Sequence, residues 1–332
     1  MSKIRRNDYE FVVCDYCGFN KTFHVTRQTD LIHKTTNVFF NIVKCKKCGL
    51  HFTNPRPNPK AIAKYYPESY SYHNSPSFLK AFAYQLAHYF ANSGILVWFF
   101  TFIPIIGDKL IEFIKPQIPD PVRKYYSGGG EGAILDIGCG TGFTANFWGT
   151  KGAILSYQSI AEIYGVEINP KSRAFLNRKG VHVYADIDSI PTAKKFGVIR
   201  MNWSLEHVHA PSLYFQFIKE HLKKNGQAII TVPNYEGLIY KLAADAVELP
   251  IHLYHFRPID IKNYAHKFSF KIVNFLTFSY PSMYSFAAQV GMLPKDFFTK
   301  FRLCDARNFQ FVLNHFDFAE KGNDMLIVLG HR

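Results

Sequence analysis

The stretch that most constrains the fold of this chain is Ala133–Thr144, with the sequence AILDIGCGTGFT. Its apolar first half predicts a short buried strand, and a helix is predicted to begin over Thr141–Phe147. Between them lie the glycines Gly138, Gly140 and Gly142. A strand, a glycine turn and a helix N-terminus together allow a nucleotide-like ligand to contact bare backbone. The alternative is a glycine turn that binds nothing.

The spacing of these glycines differs from that of dinucleotide-binding folds. Those folds use G-x-G-x-x-G, whereas here the third glycine comes one residue sooner and Asp136 lies two residues before the first. The next predicted strand is Ile163–Glu167, and a carboxylate at its end can accept both hydroxyls of a ribose. After a third strand, Val181–Tyr184, Asp186 can accept an adenine amino group while Ile187 packs on the ring. A plain loop aspartate is the alternative for Asp186.

Strands and helices alternate through the rest of the chain. Further strands are predicted at Phe196–Asn202, Phe270–Phe275 and Met325–Leu329, helices at Pro170–Lys179 and Pro258–Lys267, and a surface insertion at residues 153–161. Leu222–Val232 is predicted to contain the end of a helix, a turn at Lys224-Asn225-Gly226 and then the fifth strand. This alternation predicts an α/β fold with a mainly parallel sheet, whose site lies at the carboxyl ends of the strands.

Four of the six cysteines form two C-x-x-C pairs near the N-terminus. The pairs are Cys14 with Cys17 and Cys45 with Cys48, and each is followed directly by a glycine. Four thiolates at this spacing suit a tetrahedral zinc ion, so the pattern predicts a structural zinc ribbon over residues 1–57, with a redox pair as the alternative. Since four protein ligands leave no open position, the metal should stabilise the fold and take no part in chemistry.

An apolar segment separates the ribbon from the glycine stretch. Residues 81–107 contain no Asp, Glu, Lys or Arg, but interruptions and basic residues on both sides argue against a membrane span. Packing helices are preferred, ahead of a helix pair lying in a membrane interface. We therefore divide the chain into a zinc ribbon (1–57), an apolar helical connector (58–127) and a catalytic domain (128–332).

The glycine stretch resembles motif I of the class I S-adenosylmethionine-dependent methyltransferases. A narrower resemblance rests on the order of the C-x-x-C pairs, Asn54-Pro55-Arg56-Pro57, LDIGCGTG, SLEHVHAP, TVPN and PIHLYHF. This order is similar to that of zinc-ribbon class I methyltransferases that modify bacterial surface polysaccharides and sugars. The resemblance implies a Rossmann-like sheet of seven strands whose last strand is antiparallel. It also implies a cytoplasmic location and sugar or related hydroxyl acceptors.

The resemblance also implies which residues bind S-adenosylmethionine. They are Asp136, Gly138, Cys139, Gly140, Gly142, Glu167, Ile168, Asp186, Ile187 and Asn202. Relatives that methylate polyprenylated catechols bind a divalent ion through a Glu three residues before a Glu-His pair. This chain has Trp203 at that position, which argues against a catalytic metal.

Methyl transfer to a sugar hydroxyl requires a group that removes the hydroxyl proton. Histidine is the commonest general base, and His252 and His207 both follow strands whose ends meet at the predicted site. We predict His252 as the base or a substrate ligand, with His207 and Glu206 as positioning groups. Alternatively, Glu206 and His207 cap and stiffen the following helix.

The net charge of +14 points to a polyanionic partner: nucleic acid, an anionic membrane surface or a phosphate-bearing substrate. We prefer a small or lipid-linked sugar as the partner. The protein is expected in the cytoplasm, and the alternative is that it associates with the inner face of the membrane. An RNA methyltransferase is less favoured, because the fourth strand lacks the Asn/Asp-Pro-Pro-Tyr type of motif. A third hypothesis is a zinc-ribbon scaffold on a methyltransferase fold that no longer catalyses. The sequence does not predict the oligomeric state.

Overall fold

The structure is a computed structural model that describes residues 6–67, 70, 120–142, 154–243, 247–297 and 306–332. Three predictions fall wholly or partly outside these residues. They concern the helix beyond residue 142, the apolar segment 81–107 and most of the connector 58–127. Among the described residues, no helix has the length and apolar character needed to cross a membrane.

The N-terminal cysteines belong to a small antiparallel sheet. Its strands are β2 (Thr22–Gln28), β3 (Phe40–Cys45) and β4 (His51–Thr53), while β1 (Tyr9–Glu10) pairs with β5 (Arg56–Pro57) beside it. Phe52 lies at the centre of β4 and is completely buried. We call residues 6–57 the N-terminal module.

The central sheet has seven strands in the described part of the chain. They are β6 (Ile134–Ile137), β7 (Ile163–Val166), β8 (His182–Tyr184), β9 (Phe196–Asn202), β10 (Leu222–Pro233), β12 (Phe270–Phe278) and β13 (Asp324–His331). Their order is β12-β13-β10-β9-β6-β7-β8, and only β13 runs antiparallel to its neighbours. The predicted seven-stranded sheet with an antiparallel last strand is thereby confirmed.

Helices connect these strands, and five of them begin with proline. The helices are α1 (Pro121–Ser127), α2 (Pro170–Asn177), α3 (Pro211–His221), α4 (Leu238–Leu242), α5 (Pro258–Lys267), α6 (Pro281–Gln289) and α7 (Ala306–Phe318). Proline suits the first helical turn because its fixed φ is helical and its missing N–H has no partner there in any case. At α2, the side chain of Asn169 also accepts from the backbone N–H groups of Lys171 and Ser172.

The N-terminal module and the central sheet are joined by a short strand, β11 (Tyr254–His255). It pairs antiparallel with β4, so residues from beyond β10 complete the sheet of the N-terminal module. One continuous hydrophobic core includes Phe52 from β4, Phe256 from the segment after β11 and Phe215 from α3. The proposed domain boundaries stay a prediction, but the two parts share both a sheet and a core.

The predicted surface insertion at residues 153–161 is confirmed for residues 158–160, which are exposed, and is wrong for Ile154 and Tyr157. Ile154–Tyr157 forms a short 3-10 helix, in which Ile154 and Tyr157 are almost completely buried. The reason is Gly142: a Cβ atom there would lie 2.6 Å from Leu176 and 3.2 Å from Ile154. Without a side chain at residue 142, this turn packs tightly beneath the glycine loop.

Candidate active site

The glycine loop leaves β6 at the carboxyl edge of the sheet and is fixed against β7. The N–H groups of Gly138 and Cys139 both donate to the carbonyl oxygen of Val166, at 2.8 and 3.2 Å. Gly138, Gly140 and Gly142 all have positive φ angles, which side chains rarely adopt. The predicted glycine turn therefore forms at the predicted place.

Glu167 follows β7 and turns its carboxylate towards this loop. Its Oε2 atom accepts the N–H of Gly140 at 2.8 Å, and its Oε1 atom accepts the N–H of Asn169 at 2.7 Å. The side chain is buried. The carboxylate therefore lies directly beside the loop, at the place where the ribose of a donor is predicted.

The absence of a side chain at Gly138 allows close packing against Ser204 in addition to the turn. A Cβ atom at residue 138 would lie 2.6 Å from the Cβ atom of Ser204, whose hydroxyl donates to the carbonyl oxygen of Ile137 at 2.7 Å. The segment after β9 therefore lies directly against the glycine loop. This contact brings Glu206 and His207, two and three residues beyond Ser204, to the same edge.

Asp136 is buried and its carboxylate is engaged by Arg200 on β9. The Nε and Nη2 atoms of Arg200 donate to Oδ1 and Oδ2 of Asp136 at 3.0 and 2.6 Å. The two residues are direct partners in the β6–β9 register. Burial lowers the pKa of the Arg200 guanidinium, but the charge of Asp136 outweighs this and holds the pKa well above its usual value. A direct contact of Asp136 with a cofactor stays a prediction.

The other predicted cofactor residues lie around the same edge of the sheet. Asp186 is exposed, and its Oδ1 atom accepts the N–H and hydroxyl of Ser189 at 2.8 and 2.6 Å. Ile187 packs on the core, whereas the side chain of Ile168 is 67% exposed. Cys139 is buried and Asn202 ends β9. Their roles as ligands of a cofactor stay predictions.

Glu206, His207 and His252 form a compact cluster, although 44 residues separate His207 from Ile251, the neighbour of His252. One side-chain nitrogen or oxygen of each residue lies within 4.8 Å of the others. The two imidazole rings meet edge to face, with centroids 4.7 Å apart. The Nδ1 atom of His207 lies 3.0 Å from the carbonyl oxygen of Ile251, which fixes Nδ1 as the protonated nitrogen.

Burial dominates the electrostatics of this cluster. It lowers the pKa of His252, and it lowers the pKa of His207 to about 3 with a further contribution from His252. It raises the pKa of the Glu206 carboxyl well above its usual value, and neither carboxylate oxygen has a hydrogen-bond partner among the described residues. Both imidazoles are therefore neutral at pH 7, and Glu206 offers an unused polar group.

Trp203 contacts a different part of the sheet edge. Its indole Nε1–H donates to Oδ1 of Asp324 at 2.8 Å, and its own φ is positive, at 49°. Burial raises the pKa of Asp324 to about 7, although the hydrogen bond from Trp203 opposes this. Thus Trp203 packs against the sheet edge and donates one hydrogen bond there.

The four N-terminal cysteines lie together at the tip of the N-terminal module. The Sγ atoms of Cys14 and Cys48 are 3.4 Å apart and those of Cys17 and Cys45 are 3.5 Å apart, with all four within 4.8 Å of one another. Gly18 and Gly49, which follow the second cysteine of each pair, have φ angles of 69° and 82°. The predicted tight turns are thereby confirmed. The cysteines are free of disulfides.

Sequence reasoning missed several charged residues that hold this arrangement together. Arg56 donates to Glu10, to the hydroxyl of Tyr254 and to the carbonyl oxygen of His209. It thus ties the N-terminal module to the segment after β9. Arg200 could have been found, because a charge in the apolar strand FGVIRMN requires a partner on the neighbouring strand.

Comparison with known proteins identifies the catalytic part of the chain. Residues 110–274 match the family model described as a methyltransferase domain. The chain carries a class I S-adenosylmethionine-dependent methyltransferase domain. A search of curated proteins found no match to this methyltransferase.

Solved structures similar to this methyltransferase include three with a TM-score of 0.40. An S-adenosylmethionine-dependent methyltransferase from Clostridium acetobutylicum is 13% identical and covers 64% of this chain and 89% of its own. A possible histamine N-methyltransferase from Thermotoga maritima is 15% identical, and the match covers 77% of this chain and 96% of that protein. Coclaurine N-methyltransferase, bound to N-methylheliamine and SAH, is 15% identical, and the match covers 82% of this chain and 94% of that protein.

The donor-binding elements suit the cofactor of this family. The methyltransferase presents a bare glycine loop with a buried carboxylate beside it, and a carboxylate at this position suits the diol of a nucleoside. The prediction of a methyltransferase that uses S-adenosylmethionine is confirmed.

Proposed function

We propose that this methyltransferase transfers the methyl group of S-adenosylmethionine to a hydroxyl of a sugar or a related surface-polysaccharide precursor. The observation that carries the proposal is the cluster of Glu206, His207 and His252 beside the glycine loop. Its two neutral imidazoles, and the Glu206 carboxyl that has no hydrogen-bond partner among the described residues, suit a neutral acceptor that is rich in hydroxyl groups.

In this proposal, Glu167 and the glycine loop hold the donor, and bound S-adenosylmethionine supplies an electrophilic methyl group. His252 accepts the proton of the acceptor hydroxyl. Burial lowers the pKa of His252, so its imidazole is neutral and has a free lone pair at pH 7. Burial lowers the pKa of His207 to about 3, so its imidazole is a weak base, and in this proposal it orients the acceptor and does not remove its proton.

The test is incubation of the protein with methyl-labelled donor and separated pools of nucleotide sugars, lipid-linked sugars and RNA. We expect label in a sugar pool, and His252→Gln should lower its incorporation by about 10²- to 10⁴-fold, the usual contribution of a general base. His221→Gln is the matched control, because His221 is also buried but bonds the carbonyl oxygen of Lys194. Label in RNA alone would overturn the sugar proposal, and full turnover of His252→Gln would overturn the base.

We further propose that the four cysteines hold a structural zinc ion. Around a tetrahedral ion with Zn–S distances of about 2.3 Å, the sulfur atoms lie about 3.8 Å apart. The sulfur separations of 3.4 and 3.5 Å in the two cross pairs are close to this value and far from a disulfide bond. With four thiolate ligands, such an ion would stabilise the N-terminal module and leave no position for substrate.

The zinc proposal is tested by elemental analysis of the purified protein and of Cys45→Ser. We expect about one equivalent of zinc in the native protein and its loss in the variant, together with a lower melting temperature. Cys139→Ser is the control, since Cys139 is buried in the glycine loop and is absent from the cluster. Equal zinc content in the Cys45 variant and the native protein would refute the site.

A further inference from the structure

His33, in the N-terminal module, reaches the cluster of the catalytic domain. Its Nε2 atom lies 3.1 Å from Oε2 of Glu248, a residue 215 positions further along the chain. The ring of His33 also contacts Tyr70 edge to face, with centroids 5.6 Å apart. The loop between β2 and β3 therefore meets the segment that carries His252.

This loop is held in place by Asp30. The carboxylate of Asp30 is buried and accepts the N–H of His33 at 2.8 Å. It also accepts the N–H and hydroxyl of Thr35, at 2.9 and 2.6 Å. A buried carboxylate with three local donors fixes the backbone on both sides of His33, so the imidazole is presented in one position.

Glu248 in turn faces His252. Its Oε2 atom lies 3.9 Å from Nε2 of His252, and the N–H of His252 donates to the carbonyl oxygen of Glu248 at 2.8 Å. The hydroxyl of Thr53, on β4 of the N-terminal module, donates to the carbonyl oxygen of His252 at 2.9 Å. The N-terminal module thus contacts both the backbone of His252 and the carboxylate that faces its ring.

We propose that Glu248 is a positioning residue for His252, held in place by His33 of the N-terminal module. The inference rests on the proposed role of His252 as the base. At 3.9 Å, beyond hydrogen-bond distance, the negative charge of Glu248 attracts the Nε2–H group and so favours the tautomer in which Nδ1 has the free lone pair. It also compensates the positive charge that His252 gains when it accepts a proton.

Charge supports this assignment. Burial raises the pKa of Glu248, but the hydrogen bond from His33 and the charges of the nearby histidines outweigh it and lower the pKa to about 2. The carboxylate is therefore ionised at any pH at which His252 titrates. The groups that face His252 are Glu248, His33, His207, Glu206 and His255. Burial raises the pKa of the other carboxyl, Glu206, well above its usual value and so favours its neutral form, whereas Glu248 has its pKa lowered.

The test follows His252 by ¹⁵N NMR in histidine-labelled protein, with its signals assigned by comparison with His252→Gln. In Glu248→Gln, we expect the pKa of His252 to fall by about 0.7 pH units or more, as expected for charges about 4 Å apart. The tautomer ratio at pH 7.5 should also shift away from Nε2–H. In His33→Gln, the pKa of His252 should rise, because a neighbouring positive charge is lost.

Glu236→Gln is the matched control. The exposed fractions of the Glu236 and Glu248 side chains are 34% and 33%, and Glu236 is paired with Lys321, away from His252. The proposal is overturned if the ¹⁵N chemical shifts and the pKa of His252 are the same in Glu248→Gln as in the control variant. Because the measurement requires no acceptor, it stands even if the sugar pools take up no label. With an acceptor in hand, Glu248→Gln should lower kcat and leave KM for the donor unchanged.

Discussion

Replacing Glu167 by Gln tests the donor site most directly. The Glu167 carboxylate accepts the backbone N–H groups of Gly140 and Asn169, and we propose that it also binds the ribose hydroxyls of the donor. A glutamine side chain has only one acceptor oxygen, so its NH₂ group must oppose one of these backbone donors. The variant therefore loses at least one charge-assisted hydrogen bond to the diol.

The expected magnitude follows from that single lost interaction. A hydrogen bond to a charged group contributes about 1.5 to 3 kcal/mol, which raises the Kd for S-adenosylmethionine about 10- to 160-fold. Isothermal titration calorimetry measures the change directly. The matched control is Glu162→Gln, because Glu162 directly precedes the same strand, β7, at its amino end and its side chain is 56% exposed.

The control should bind the donor with native affinity. A Kd of Glu167→Gln within threefold of the native value, in a variant that is folded by circular dichroism, would refute the reasoning about the diol. Absence of any heat with the native protein would instead favour the scaffold reading, in which the fold no longer binds a donor.

Two further predictions concern buried charges. Arg200→Met leaves the carboxylate of Asp136 buried without its partner, so urea unfolding should show a loss of about 3 to 5 kcal/mol, whereas the exposed Arg178→Met should change stability little. Asp324 has a folded-state pKa raised by burial to about 7, so the folded protein holds a proton that the unfolded chain releases near pH 4. Its contribution therefore makes stability fall as pH rises from about 4 to 7, and Asp324→Asn should flatten this decline in urea unfolding. Parallel pH profiles of the unfolding free energy in the native protein and Asp324→Asn would contradict this prediction.

The central sheet could be predicted from the sequence because its strands are short apolar runs separated by clear turn residues. The predicted helix Pro258–Lys267 matches the observed one, since proline marks its first turn. The glycine loop and the acid after β7 were also predictable, because a loop that contacts a ligand requires a particular local backbone. In these cases neighbouring residues determine the structure.

The position of His33 could not be predicted in the same way. Its partner lies 215 residues away, and neither residue belongs to a motif with a fixed spacing. The burial of Ile154 within the predicted surface insertion escaped prediction for a related reason: Gly142 leaves space above it, which is a property of packing. Sequence patterns report local backbone preferences, whereas such contacts depend on how distant segments meet.

The shared sheet gives the N-terminal module a role beyond carrying cysteines. Strand β4 pairs with β11 directly after His252, and Thr53 on β4 bonds the carbonyl oxygen of His252 and the ring of His255. The second cysteine pair begins at the end of β3, whose residues pair with β4. An ion bound by the cysteines would therefore stabilise the strand that holds His252. If both proposals hold, metal binding and the placement of His252 are linked through one sheet, although no cysteine needs to approach the substrate.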